Sequence, residues 1–222
     1  MKSLDELIRT EDPAWPTVSA WIESCPNVCV LPTDPATADA ALLALQVTLR
    51  SPMGALVHHT GGLLVDHGWL RILGAGGPRM RRSLPGWTTD HAPFDENGRP
   101  GFLLIADDVM GGFFALNGGG LGPDLGHVLY FSPQSLDWED FAASYSAFLT
   151  WALSSDVPDF YRPLRWPGWE RDIAAVSGDQ ALSVHPFLWL EGIPSAERTR
   201  RPIPVGEKYQ LTMDVAWQIS NR

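Results

Sequence analysis

The sequence has no run of eighteen consecutive apolar residues, only two cysteines, and few cations. Without a long apolar run, no segment is predicted to cross a bilayer, and the N-terminal MKSLDELIRTED has no apolar core like that of a secretion signal. The expected location is therefore the cytoplasm, with no membrane contact. Cys25 and Cys29 lack a second pair that would complete a zinc site, so buried free thiols are expected and no cofactor is predicted.

The charge balance narrows the class of partner. Sixteen Lys and Arg face 26 Asp and Glu, which gives a net charge of -10. Because nucleic-acid binders usually carry a basic surface, DNA and RNA are not expected as direct ligands. An acidic surface would complement a basic protein, although the same charge can simply confer solubility.

Length and composition suit one compact domain, and the strand, turn and helix patterns described below predict an α+β fold with a mainly antiparallel central sheet packed by helices. The 222 residues are 45% hydrophobic, enough for a substantial core. Within residues 1–222 we expect a helical N-terminal part at 1–50, the central sheet and its packing helix at 51–155, and a C-terminal elaboration at 156–222. Prolines and tryptophans make that last part irregular.

The stretch from Leu104 to Phe131 is the most informative, because three apolar runs are separated by paired acids and glycine clusters. This pattern predicts an antiparallel sheet. Aromatic residues at spacings of three and four then predict a helix from about Ser135 to Leu153, carrying Trp138 and Phe141. The predicted strands are Leu56–His59, Leu63–Asp66, Trp69–Leu73, Phe102–Ala106, Phe113–Leu116 and Val128–Phe131.

Start signals predict the flanking elements. Ser3 with Glu6 has the form of a capping box, and Asp12-Pro13 and Asp34-Pro35 each combine an N-cap with a first-turn proline. Additional expected elements are a strand at Asn27–Leu31, a helix at Trp169–Val176, a strand at Pro186–Leu190 and a helix at Val205–Trp217.

Four segments resemble a known family: SPMGALVHHTGGLLVDHGWLRILGAG from residue 51, ADDVMGGFFALNGG from 106, HVLYFSPQSLDWEDF from 127 and FYRPLRWPGWE from 160. They look like the bacterial uncharacterised-domain family 2625, over roughly Val28 to Trp217. That family is one of unknown function, so the resemblance implies no reaction. Gly101 to Trp151 is more distantly similar to the SUKH superfamily. This likeness implies an α+β fold and protein binding, in many members as immunity proteins that neutralise toxins.

Asp107 and Asp108 are the first candidate site. Neighbouring carboxylates can hold a divalent metal, but adjacent strand residues point to opposite faces, and one of the two can instead cap the Gly111-Gly112 turn. A metal site would need a third ligand. The candidates for this ligand are His127, Asp66 and His67, and their spacing matches no established metal motif, so no metal is predicted.

The same acids suggest an alternative function. A pocket that gathers Asp107, Asp108, His127 and His67 beside Trp69 could bind a small ligand or act as a hydrolase-like enzyme by acid/base chemistry. The chain shows no complete catalytic constellation and no nucleophile motif, so no catalytic residue is assigned.

Two further groups of residues could contact a ligand or partner. Arg165, Trp166 and Trp169 are of the types that dominate interface hot spots, but their rings could equally fasten the C-terminal part to the sheet. The basic residues of the 79–82 and 198–201 segments could bind carboxylate or phosphate, or could be solvated or paired within the chain.

Together these patterns favour a non-catalytic protein-binding module of the SUKH type with a basic protein partner. Toxin immunity is the sharper form of this hypothesis. The alternatives are the Asp/His pocket and a purely structural homo-oligomer.

Overall fold

The computed structural model describes residues 1–221, and its centre is a seven-stranded sheet. The strands follow one another in chain order, and every neighbouring pair is antiparallel. Helices pack against this sheet, so the predicted α+β class with a mainly antiparallel sheet is confirmed. The strands are β1 Val28–Leu31, β2 Gly62–Val65, β3 Leu70–Leu73, β4 Phe102–Asp108, β5 Phe113–Asn117, β6 Val128–Ser132 and β7 Asp137–Ala143.

Helices and a separate hairpin complete the fold. The hairpin pairs β8 Gln180–His185 with β9 Thr199–Pro204. No helix within residues 1–221 is long and apolar enough to cross a membrane. The helices are α1 Leu4–Ile8, α2 Trp15–Ser24, α3 Pro35–Leu45, α4 Pro52–His59, α5 Leu84–His91, α6 Tyr145–Ala152, α7 Val157–Tyr161, α8 Trp169–Ala174 and α9 Val205–Ser220.

Several start signals work as predicted. Ser3 and Glu6 form the reciprocal capping box of α1, and the Asp34 side chain accepts the Thr37 N–H at the start of α3. In contrast, α2 begins at Trp15 rather than at Pro13, and its N-cap Ala14 makes no side-chain hydrogen bond. Local capping chemistry therefore set two of these three starts.

Three element predictions were wrong. Leu56–His59 is the second half of α4, which begins because Ser51 accepts the Met53 N–H and Pro52 suits a first turn. The predicted helix from Ser135 is instead β7 followed by α6, whose start is set by Ser144 accepting the Ala147 N–H. The expected strand at Pro186–Leu190 is irregular, and β8 ends just before it, since Pro186 has no N–H to donate to a ladder.

The two faces of the sheet are covered by different parts of the chain. Residues opposite one another across antiparallel strands share a face. Phe113 of β5 meets Tyr209 of α9, with 4.8 Å between ring centroids, whereas the adjacent Phe114 meets Phe148 of α6 at 4.9 Å. We call these the α9 face and the α6 face. One row of register partners across the α9 face consists of Cys29, Leu64, Arg71, Asp107 and Phe113.

Candidate functional site

Asp107 lies at the centre of a buried charge network on the α9 face. Its Oδ1 accepts a hydrogen bond of 2.6 Å from Arg71 Nε, and its Oδ2 accepts another from a terminal nitrogen of Arg82. Asp107 is fully buried, and the side chains of Arg71 and Arg82 are 1% and 10% exposed. The carboxylate is therefore held by two guanidinium groups, and its oxygens are already occupied by charged donors.

The network continues into the C-terminal part through Asp179. Arg82 Nε lies 3.6 Å from Asp179 Oδ1, and the Arg81 backbone N–H donates to the same carboxylate at 3.1 Å. Arg82 also donates to the Gly178 carbonyl at 2.7 Å. The guanidinium groups of Arg71 and Arg82 and the two carboxylates thus balance in charge and connect β3 and β4 to the turn before β8, while the exposed Arg81 guanidinium lies 3.2 Å from Asp179 at the outer end of the network. We call Arg71, Asp107, Arg82 and Asp179 the buried tetrad.

Asp108 has a different role, at the turn between β4 and β5. Its Oδ1 accepts the N–H groups of Met110 and Gly112 at 2.8 and 2.9 Å, and its Oδ2 accepts the Tyr130 hydroxyl at 2.9 Å. The predicted capping of this turn is confirmed. A Cβ at Gly112 would lie 2.2 Å from Asp108 Oδ2, so the turn has no space for a side chain. Burial raises the pKa of Asp108, and these hydrogen bonds oppose that shift.

Lys208 is a functional candidate that the sequence reasoning missed. It is 3% exposed, and its side chain packs on Gly111 and makes no hydrogen bond with any residue from 1 to 221. Burial lowers its pKa to about 8, although the charge of Asp108 acts in the opposite direction. The helical spacing of the sequence could have indicated its burial. The four buried residues of α9 are at i, i+3, i+4 and i+7, and Lys208 occupies the second of these positions.

His127 lies far from the two acids. It directly precedes Val128, which pairs with Leu116 at one end of β5, whereas Asp107 pairs with Phe113 at the other end. Its Nδ1 lies 3.2 Å from Asp140 in a half-exposed pair. Within the described part of the chain, no three His, Cys, Asp or Glu side chains are grouped as metal ligands. Asp107, Asp108 and His127 therefore do not share one pocket.

The aromatic candidates gather around Trp69 at the turn between β2 and β3. Trp69 is fully buried, and the ring centroids of Trp166 and Trp169 lie 5.8 and 5.3 Å from its own. Arg165 forms an ion pair with Asp66 and places its guanidinium carbon 4.1 Å from the centre of the Trp169 ring. We call Trp69, Arg165, Trp166 and Trp169 the aromatic cluster.

Each ring of this cluster has partners within the chain. Trp166 is 7% exposed, its Nε1 donates to Asp172 at 2.8 Å, and the Arg200 guanidinium carbon lies 3.7 Å from its ring centre. Trp169 is only partly buried, and its ring edge approaches His67. The cluster fastens the C-terminal part to the sheet, and Trp169 is the ring that also reaches the surface.

Fold and site define a class: an α+β protein on a seven-stranded antiparallel meander, with a buried ionic tetrad and an aromatic cluster joining its C-terminal part to the sheet. The chain belongs to the family described as "Protein of unknown function DUF2625", whose model matches residues 4–208. The family predicted from the sequence motifs is thereby confirmed.

Two curated relatives match over nearly their whole length. A "Putative uncharacterized protein YbfG" of Escherichia coli (strain K12) is 44% identical over 217 residues, 95% of each chain. An "Uncharacterized protein" of Haemophilus influenzae is 39% identical over 213 residues, which is 95% of this chain and 93% of the relative. Comparison with solved structures returned no significant match. The SUKH likeness therefore stays a prediction.

Proposed function

We propose that this chain is a non-catalytic binding protein that recognises a basic protein partner. The observation that carries the proposal is how the fold distributes charge. Among residues 1–221, only Asp39, Asp66, Asp107, Asp108 and Asp179 are buried or half-buried acids. The buried or half-buried cations are Arg71, Arg82, Arg165, Arg198, Arg200 and Lys208. The exposed surface is therefore left with more than twice as many carboxylates as cations.

The outer edge of β7 is the acidic surface best placed for such a partner. This strand is the last of the sheet, and Asp137, Glu139 and Asp140 are all exposed on it. Charges on an edge strand discourage pairing with another copy of the same chain, because like charges would meet. The same charges attract a basic surface and accelerate its association. We call these three residues the acidic edge.

The geometry lends no support to the alternative of an enzyme with an Asp/His pocket. The Asp107 carboxylate is bound by two guanidinium groups, and the Asp108 carboxylate accepts hydrogen bonds from turn N–H groups and a tyrosine hydroxyl. His127 pairs with Asp140 at the far end of β5. A general base must reach the proton that it abstracts, directly or through one water. These groups would have to leave their present partners before they could act on a substrate.

Toxin immunity, in the bacterial cytoplasm, is the sharper form of the proposal. It is supported by the acidic surface, which suits a basic toxin such as a nuclease, and by the SUKH likeness predicted from residues 101–151. An immunity protein would bind its toxin stoichiometrically. Expression of the captured partner alone should then arrest growth, and co-expression of this chain should restore it.

The test is affinity capture from the native bacterium at low salt, comparing two triple variants of equal charge change. Asp137→Asn/Glu139→Gln/Asp140→Asn removes the acidic edge but keeps the side-chain oxygens that accept hydrogen bonds from Trp138, Ser135 and Ala142. Glu11→Gln/Asp12→Asn/Glu23→Gln neutralises exposed acids elsewhere.

A basic partner should bind the wild type and the control alike. It should bind the edge variant about tenfold more weakly, since each exposed charge pair contributes roughly 0.2–1 kcal/mol. The difference should shrink as salt is added. Recovery of no basic partner, or equal loss in both variants, would count against the proposal.

A further inference from the structure

A concave cleft of about 300 Å³ opens beside the edge strand β1, on the α9 face. Its floor is formed by Cys29, Leu64 and Arg71, three successive partners in the register row described above. The segment from Ile173 to Gly178 closes its other side. This volume is at the lower limit of known small-ligand sites, roughly 300–1,000 Å³. The cleft is large enough for one small molecule or for the charged end of a larger one.

The charge of the cleft is opposite to that of the protein. Among residues 1–221, none of its lining residues is Asp or Glu, although the chain as a whole has 26 of them. Arg71 and Arg79 both line it. Because Asp107 compensates the charge of Arg71, the excess positive charge comes from Arg79, which forms no salt bridge within the described residues.

Arg79 and its neighbours present donors toward the cleft. A terminal nitrogen of Arg79 lies 3.2 Å from Cys29 Sγ, a weak acceptor that an oxyanion would readily replace. Asn27 and Ser177 also line the cleft and can donate through an amide and a hydroxyl. A guanidinium beside neutral donors is the usual arrangement for binding carboxylate or phosphate.

His67 is held at the same cleft by a constrained turn. Asp66, His67 and Gly68 have φ angles of 52, 60 and 89°, so two non-glycine residues in succession adopt left-handed backbone. The turn is retained by the Asp66 N–H bond to the Asn27 carbonyl at 2.7 Å and by the ion pair with Arg165. The exposed His67 ring makes no hydrogen bond with any residue from 1 to 221, which leaves its nitrogens available to a ligand.

We propose that this cleft binds a small molecule through an oxyanion group, a phosphate or a carboxylate, with Arg79 as the principal anchor and His67, Asn27 and Ser177 as additional donors. This site is separate from the acidic edge, which attracts the opposite charge. The proposal therefore does not depend on a protein partner.

Cys29 provides a reporter within the site. Cys25 is buried as predicted, whereas the prediction was wrong for Cys29, which is exposed at the cleft. The experiment measures the alkylation rate of Cys29 by neutral iodoacetamide, with inorganic phosphate, citrate or chloride added at matched ionic strength. Phosphate or citrate should slow the reaction, with half-protection at about 1 mM, an affinity expected for a weak small-molecule site. Protection of Cys29 by phosphate or by citrate identifies phosphate or carboxylate as the group that the cleft binds. Cys25, read from fragment masses, reports any unfolding.

A second measurement compares the rates at which an anionic and a neutral reagent alkylate Cys29. The rate ratio of anionic iodoacetate to iodoacetamide should fall about fivefold in Arg79→Gln, the size of one unit-charge interaction at about 4 Å in water. Arg99→Gln, which removes an exposed arginine elsewhere, should leave the ratio unchanged. The proposal would be overturned if neither phosphate nor citrate protected Cys29 more than chloride does. It would also be overturned if the protection and the rate ratio were both unchanged in Arg79→Gln.

Discussion

Two neighbouring attachments of the C-terminal part to the sheet differ in kind: one uses charges and the other uses aromatic rings. The buried tetrad uses Arg82 and Asp179 to bring the turn before β8 to Asp107. The aromatic cluster instead packs Trp166 and Trp169 around Trp69. The first attachment depends on matched charges, and the second depends mainly on ring packing.

This difference predicts unequal tolerance to substitution. A buried ion pair gains little over a hydrophobic replacement, but loss of one partner leaves an uncompensated charge in a medium that solvates it poorly. Ring packing fails more gradually, because a smaller ring still fills most of the space. The tetrad is therefore expected to have little tolerance even of an isosteric change, whereas the aromatic cluster should accept one.

Asp107→Asn should produce the largest effect. It keeps the size of the side chain but removes the charge that faces Arg71 and Arg82, and we expect a loss of about 3–5 kcal/mol in the free energy of unfolding. Urea denaturation measures this loss. Arg81→Gln is the control, because the Arg81 side chain is 84% exposed in its pair with Asp179, and its loss should cost less than about 1 kcal/mol. Similar losses in both variants would show that burial does not set the cost.

Lys208→Met should act in the opposite direction and increase stability. Burial lowers the pKa of Lys208 from 10.5 to about 8, so at pH 7 the folded protein retains an ammonium that it solvates poorly. Removing this charge should stabilise the protein by up to about 3 kcal/mol, since one pKa unit corresponds to about 1.4 kcal/mol.

The pH dependence of the free energy of unfolding tests whether the charge of Lys208 causes this difference. Between about pH 8 and 10.5 the folded chain loses the Lys208 proton while the unfolded chain keeps it, so wild-type stability rises relative to the variant and the advantage of Lys208→Met disappears. Urea denaturation at pH 7 and pH 10 tests this, with Lys2→Met as the exposed control. A constant difference at both pH values would place the effect in packing rather than in charge.

Regular local patterns made most of the sheet predictable. Apolar runs bounded by glycines and acids located β2 to β6 to within a few residues, and the Asp108 turn followed from the preference of Asp for backbone N–H groups. Short apolar runs were ambiguous, since Leu56–His59 suits a strand or a buried helix equally well. Trp138 and Phe141 are three apart, which fits a helix, but they lie on β7.

The partners of the candidate residues could not be predicted, because they come from distant parts of the chain. Asp107 bonds Arg71 and Arg82, which are 36 and 25 residues away, and Arg165 bonds Asp66 across 99 residues. No spacing rule connects such positions. The sequence marked the polar and aromatic residues as unusual, but only the packed fold shows that most of them bind one another.

Trp166→Phe is the smallest of these changes and tests the aromatic side of the comparison. The phenyl ring keeps most of the contact with Trp69 and the stacking of Arg200, but it loses the Nε1 hydrogen bond to Asp172 and leaves a small void. The expected loss is about 1–2 kcal/mol by urea denaturation, clearly less than for Asp107→Asn. Asp107→Asn removes a charge at constant size, whereas Trp166→Phe removes ring area and one hydrogen bond but no charge. If Trp166→Phe is as costly as Asp107→Asn, the indole is as indispensable as the carboxylate, and the two attachments do not differ in tolerance.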